Sequence, residues 1–399
     1  ARECFHHAMV PPPSLRKRLE AKAQAERAVA RGKDAGQERY FADKKLVVAC
    51  AAVVISAVLG ASYWLSSRGP SADHEQAREE FTSPEVLRLL QSAESAIRLR
   101  YNYTLALEYL REALQVAPEH TGVRNFVGSV LLSQDKLEEA WAHFRAVFNS
   151  RRAVTRDTHF LQQYILVLHR LGKQEELAEV WPTIAATPGI SWRSSLHCPE
   201  RVDVELLEGA TPFPDRAVPR VTELMSEHRD KILTEFEAFR EQPGWDSNRY
   251  FKPNQDNDLV LGNDQQRWTE MLLFNKGAWD PQNCKVLPTA CNVLRGLIEV
   301  EGILHGKRSG QVSLLKLEAG TTLVPHFGSV NWRYTAHLGL LVPDDVIMQA
   351  GNESRRFVQG EVLLIDDSFL HSVEHQGIGP RVTLFANFFH PRTKPLTVD

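Results

Sequence analysis

Twenty consecutive residues without a charge, LVVACAAVVISAVLGASYWL from Leu46 to Leu65, set the first boundary along the chain. An apolar helix of that length crosses a bilayer core, and Tyr63 and Trp64 at its far end suit the membrane interface. A buried core helix would carry a polar stripe and a signal-peptide core would be shorter, so the pattern predicts a membrane span over 46–65. From Pro84 to Ala186 apolar positions recur at helical spacing throughout. Within that stretch Ala106 and Ala140 stand 34 residues apart (140 minus 106), and each is followed four residues later by a large side chain, Leu110 and Phe144. Pro118 closes the first unit after LREALQVAP. The period and the small/large alternation are those of a tetratricopeptide helix pair. A third copy, LGKQEELAEVW (Leu171 to Trp181), matches DKLEEAWAHF only with a small insertion, and an unrelated helical bundle is the alternative.

Pro188, Pro199, Pro212, Pro214 and Pro219 then crowd a short stretch and mark a boundary. One amphipathic helix is expected over Val221 to Arg240. From Gly310 the pattern changes to short strands, clearest in QVSLLKL, RYTAHLGLLV, EVLLIDD and RVTLFANFF. Turn signals every roughly eight to twelve residues predict an all-β jelly roll or barrel rather than a parallel sheet. The chain is therefore multidomain: a tail over 1–45, a single transmembrane helix over 46–65, a polar linker over 66–83, all-α tetratricopeptide-like repeats over 84–190, and a C-terminal β domain with flanking helices over 205–399.

Charge gives the topology. Residues 1–45 carry about eleven Lys and Arg, Arg16, Lys17, Arg18, Lys44 and Lys45 among them, against about six acids. The stretch after the span is acidic (Asp73, Glu75, Glu79, Glu80, Glu85), so the N-terminus is expected to stay cytosolic with the rest lumenal, a type II arrangement. The net charge of −3 excludes the basic excess of a nucleic-acid binder. Of five cysteines, Cys284 and Cys291 enclose CKVLPTAC on the lumenal side, and spacing alone fits a local disulfide and two free thiols equally well. Two sequons, Asn102-Tyr-Thr104 and Asn352-Glu-Ser354, also fall on that side and are consistent with glycosylation.

The chemistry is carried by His326, His337, His371 and Arg381, all in the β region. Singly, His326 reads as a loop residue after Pro325, His337 as a core histidine and Arg381 as a surface charge. Together they have the order an iron(II) oxygenase needs. Two imidazoles from separate strands leave metal positions open, and an arginine at the next strand can hold a carboxylate bidentately. Asp366 and Asp367, five and four residues before His371, read as turn residues that orient the histidine, with metal ligation the less favoured alternative.

PHFGSVNWRYTAHLGLLVP (Pro325 to Pro343), NES within AGNESRRF, GEVLLIDDSFLHSV (Gly360 to Val373) and Arg381 before LFANFFHP closely resemble the catalytic domain of aspartyl/asparaginyl β-hydroxylases. The resemblance extends upstream to RWTEMLLFNKG and the two cysteines. It implies a double-stranded β-helix oxygenase domain using Fe(II), O2 and 2-oxoglutarate as cosubstrate. His326 and His371 would bind iron, with His337 and Arg381 on 2-oxoglutarate. It further implies Trp268 near the substrate and a Cys284–Cys291 bridge. The implied function is β-hydroxylation of Asp or Asn in EGF-like domains in the endoplasmic reticulum, with release of succinate and CO2. Gly328 stands where most oxygenases of this fold place a ligating carboxylate, as the resembled family also lacks one. Thr335 and Leu315 depart from that family's basic residue and serine, with Ser313 the nearest hydroxyl on the same strand face. These departures keep open a different class, a membrane-tethered peptide-binding scaffold with a degenerate oxygenase domain.

Overall fold

The computed structural model describes residues 83–399, apart from 101, 151–156, 215–218, 262–263, 265, 309 and 398–399. The expected tail and span and almost all of the expected linker lie outside the described residues. Among the described helices none is long and apolar enough to cross a membrane.

Six helices come first: α1 (Pro84–Arg100), α2 (Tyr103–Val116), α3 (Thr121–Ser133), α4 (Leu137–Asn149), α5 (Thr158–Arg170) and α6 (Gln174–Ala185). Short polar connections end and restart them. Asn102 caps α2 through its side chain and Asp157 caps α5, each accepting a free backbone N–H of the first turn. Ala106, Leu110, Ala140 and Phe144 are all fully buried in one core. The α2 and α4 starts lie 34 residues apart (137 minus 103) and the α4 and α6 starts 37 (174 minus 137). Gly128 lets α3 lie close to α4, because a Cβ there would stand 2.5 Å from the Phe144 ring.

The segment expected as one helix over Val221 to Arg240 is two, α7 (Arg220–Glu227) and α8 (Arg229–Arg240). His228, at φ −105° and ψ 8°, takes the chain out of helical geometry between them, and no Gly or Pro announces the break.

The β domain holds thirteen strands among the described residues, antiparallel wherever two pair. The larger sheet runs β1 (Lys252–Pro253), β2 (Trp268–Asn275), β6 (Gln311–Leu317), β13 (Arg381–Phe389), β8 (Arg333–Leu341), β11 (Val362–Ile365), with β3 (Ala278–Trp279) on β2. The smaller runs β10 (Glu353–Arg356), β9 (Val346–Ala350), β12 (His371–His375), β7 (Thr321–His326), and β4 (Ile303–Leu304) pairs with β5 (Lys307–Arg308).

Alternation assigns the faces. On the larger sheet Met271, Val312, Leu314, Ala336, Leu338, Leu384, Ala386 and Phe388 point outward and pack with Val221, Met225, Ile232, Phe236 and Leu294 from α7, α8 and α9 (Pro288–Leu294), and with Leu287 just before α9. The inner face shares a second core with the smaller sheet, joining Trp268, Leu317 and Ile365 to Leu323, Met348 and Val373. Two sheets closing on a common interior make this a jelly roll. Cys284 and Cys291 are bridged, tying a turn after β3 to α9.

The proline-rich stretch before α7 also packs on the β domain. Isolated bridges join His197 to Phe369 and Arg201 to Val330, and the Asn331 side chain bonds both main-chain groups of Asp203.

Candidate active site

His326 ends β7 and His371 begins β12, and these two residues face each other across the strand pair. Their ring centroids are 4.1 Å apart and tilted by 54°. Both rings are orientated from behind in the same way. His326 Nδ1 lies 2.8 Å from the Val324 carbonyl and His371 Nδ1 2.8 Å from the Phe369 carbonyl. A carbonyl only accepts, so each Nδ1 carries the proton and each Nε2 presents a lone pair, the state in which imidazole ligates metal. Burial lowers the pKa of both, and at His326 the neighbouring His371 lowers it further, so both stay neutral.

Gly328 cannot be replaced by a ligating carboxylate. A Cβ there would lie 2.7 Å from both the carbonyl oxygen and Oδ1 of Asp367, and Gly328 N–H already donates to that carbonyl at 2.6 Å. Asp367 thus fills the slot with main chain. Its Oδ2 pairs with Arg333 at 3.1 Å, while its buried Oδ1 has no hydrogen-bond partner. No group of three or more His, Cys, Asp or Glu side chains able to hold a metal occurs among the described residues.

Opposite the pair, strand register lays out the inner face in rungs. Trp268, Leu317 and Arg381 form one; Glu270, Leu315, Thr383 and Gly339 the next; then Leu272, Ser313, Phe385 and His337. Arg381 is 1% exposed. Its Nε has no hydrogen-bond partner and no carboxylate pairs with it among the described residues; the Phe357 ring lies 4.7 Å from its guanidinium carbon. Burial pulls its pKa down to about 10. A buried cation without a counter-charge is costly, and a bound carboxylate would relieve that cost. His337 connects the two features: its pKa is held well below normal by burial and then by the charges of Arg381 and His371.

Ser313 lies two rungs from Arg381, about 13 Å along the strand at 3.3 Å per residue. The hydroxyl beside Arg381 is instead Thr383, fully buried, 3.2 Å from His337 Nδ1, on the rung of Leu315. Trp268 shares the Arg381 rung, with its indole N–H buried and unpartnered. Thr335 is buried on the inner face beside Asn387 and Ile365. Asn102 and Asn352 are both exposed.

Several residues here escaped sequence reasoning. Thr383 and Glu270 had a signal, since each stands two residues from a candidate (Arg381 and Trp268) on the same strand face. Glu270 accepts from Gln311 Nε2 at 2.9 Å, and burial, then Asp256, raises its pKa to about 7. Asp256 is raised to about 6 by burial and then by Asp258. Arg170, from the end of α5, pairs with Asp135 at 2.5 Å, and its charge also reaches Asp258 and His326. It carried no local signal.

Fold and site define an antiparallel jelly-roll domain with two imidazoles facing each other at its mouth and a buried arginine in its interior. Residues 226–391 match the family described as aspartyl/asparaginyl beta-hydroxylase. Relatives include aspartate beta-hydroxylase domain-containing protein 2 of Xenopus tropicalis, 30% identical over 209 residues, 50% of this chain and 52% of that one. The human aspartyl/asparaginyl beta-hydroxylase is 26% identical over 295 residues, covering 73% of this chain and 36% of the relative. This chain thus spans about half or less of the length of these two relatives. A cupin-2 domain of Rhodospirillum rubrum superposes with a TM-score of 0.20 at 11% identity, over 33% of this chain and 67% of that chain, a likeness too low to argue from.

Proposed function

We propose that this chain is an iron(II)- and 2-oxoglutarate-dependent hydroxylase acting on aspartyl or asparaginyl side chains of polypeptides, EGF-like domains being the expected class. The observation that carries the reading is the pair of free Nε2 lone pairs facing a jelly-roll interior that holds an unpaired, buried guanidinium. His326 and His371 would hold the metal through Nε2. Arg381, with the Thr383 hydroxyl beside it, would take the far carboxylate of 2-oxoglutarate. Iron(II) and 2-oxoglutarate together supply, with O2, the oxidising power to hydroxylate an unactivated C–H bond, releasing succinate and CO2.

The chain's own residues bind, orient and exclude water. The Val324 and Phe369 carbonyls keep the imidazoles in the ligating tautomer. Leu315, Leu317, Phe357 and Phe385 keep the interior apolar, so the Arg381 charge acts unscreened on an incoming carboxylate. Thr383 supplies a hydroxyl on the very rung where Leu315 replaces the family's serine, which supports a working cosubstrate pocket over a degenerate one. The helix pairs, read as a tetratricopeptide-like array, would present the polypeptide, and the apolar segment over 46–65 would anchor the protein in the endoplasmic reticulum membrane.

Purified protein mixed anaerobically with iron(II) and 2-oxoglutarate, then given O2 and a peptide, tests the proposal. Succinate release with a one-oxygen gain in peptide mass is expected. Failure to bind either iron or 2-oxoglutarate would leave the scaffold reading instead.

A further inference from the structure

The carbonyl that fixes the His371 tautomer belongs to Phe369, in a turn between β11 and β12. That turn is held from outside the β domain. The His197 ring lies flat on the Phe369 ring, centroids 4.0 Å apart and planes within 2°. His197 Nε2 is 2.8 Å from Ser368 Oγ, and Ser368 donates in turn to Asp366 Oδ1 at 2.5 Å. Leu370 N–H donates to the Leu196 carbonyl at 2.8 Å, and Asp366 N–H to the Pro212 carbonyl at 3.0 Å. His197, Ser368 and Asp366 are all buried.

The segment that holds the turn, the proline-rich stretch before α7, forms a strap that is gripped on its other side by α5. Gln162 Nε2 donates to the Cys198 carbonyl at 2.5 Å, His169 Nε2 meets the Ser195 carbonyl at 3.0 Å, and His159 Nδ1 meets Glu200 at 2.7 Å. His159, Gln162 and His169 recur at helical spacing along one face of α5. The stretch lies outside residues 226–391, the family match. His326 differs: its orienting carbonyl, Val324, is in its own strand.

We propose that His197 is a positioning residue for the metal ligand His371, acting through Phe369, and that the helical region is thereby part of the metal site. The inference rests on the two-histidine reading above. Partners that aim a ligating histidine typically contribute tenfold to a hundredfold in metal affinity, and here the aiming group is itself located by a ring stack and hydrogen bonds from the strap.

The test uses the full chain and Co(II) alone as probe, well below the unfolding temperature. His197→Ala should weaken Co(II) binding by about 10- to 100-fold, and His197→Phe, which keeps the stack, should lose less. Trp192→Phe removes a bond internal to the strap, Trp192 Nε1 to the Pro199 carbonyl at 2.7 Å; it should lower stability and leave Co(II) affinity unchanged. In metal-free protein, imidazole 15N spectra should show His371 protonated at Nδ1, and a tautomer mixture in His197→Ala. Unchanged affinity together with an unchanged tautomer in His197→Ala overturns the proposal. If the unaltered protein takes up no Co(II), the two-histidine reading fails, and the tautomer population alone decides for or against the strap.

Discussion

The two sheets of the jelly roll hold their functional side chains by different means. Arg381, Thr383 and His337 stand on strands in the middle of the larger sheet, hydrogen-bonded on both edges and covered by helices on the outer face. Their positions follow from strand register alone. His326 and His371 sit at strand ends of the smaller sheet, where regular pairing stops, with a register irregularity between His371 and Val373. Their aim depends on single carbonyls, one of them in a turn secured by a remote segment. Arg381 is placed by the sheet itself; the histidine pair is placed only while its supports stay where they are.

The largest effect that separates the two sheets should come from His371→Ala. Metal binding should fall more than a hundredfold, in line with loss of one of two protein ligands, while a melting curve of the metal-free protein barely moves. Metal titration followed by calorimetry checks both halves.

Arg381→Met should act in opposite senses on binding and stability. Losing charge-assisted hydrogen bonds at about 1.5–3 kcal/mol each should weaken 2-oxoglutarate binding by roughly tenfold to more than a hundredfold. Removing an uncompensated buried cation should at the same time raise stability by about 1–3 kcal/mol. Denaturant unfolding that shows a loss of stability would contradict the view of Arg381 as an ion awaiting its partner.

Gly328→Asp should not create a third metal ligand. Its Cβ would press on the Asp367 main chain, so stability should drop by about 1–3 kcal/mol and metal affinity should fall, as denaturant unfolding and metal titration would show.

The smallest effect is on pH dependence. Burial raises the Asp366 pKa from an ordinary 3.8 to about 7, with Ser368 opposing. A carboxyl raised in the folded state holds its proton where the unfolded chain has lost it. Its contribution is therefore complete below 3.8 and is lost as pH rises through about 7. Asp366→Asn, which keeps the acceptor for Ser368, should gain stability over the parent across that interval and level off above it.

The contrast between the sheets also explains what could be read from the chain. β6, β8 and β13 are buried on both faces, so QVSLLKL, RYTAHLGLLV and RVTLFANFF stand out as apolar runs. β2 was not picked out as a strand, because Thr269 and Glu270 interrupt its apolar run although both are buried. The helical region was legible through its apolar spacing, and Ala106 and Ala140, whose small side chains predict close contacts, are both fully buried. His326, His371 and Arg381 were legible as residue types in a fixed order. Residues that support them from a distance were not: His197 meets Ser368 across 171 positions of sequence, and no local pattern encodes such a meeting.

The occupied space beside Gly328 has a consequence for how this site can be altered. In a site whose third ligand had merely been deleted, one substitution would restore it, and the loss would be reversible by drift. Here the main chain of Asp367 occupies that space, held by Gly328 N–H and flanked by the Arg333 ion pair. Regaining a carboxylate there would require the whole turn ahead of His371 to retreat at once. Any redesign toward a three-ligand centre would have to begin by moving that turn.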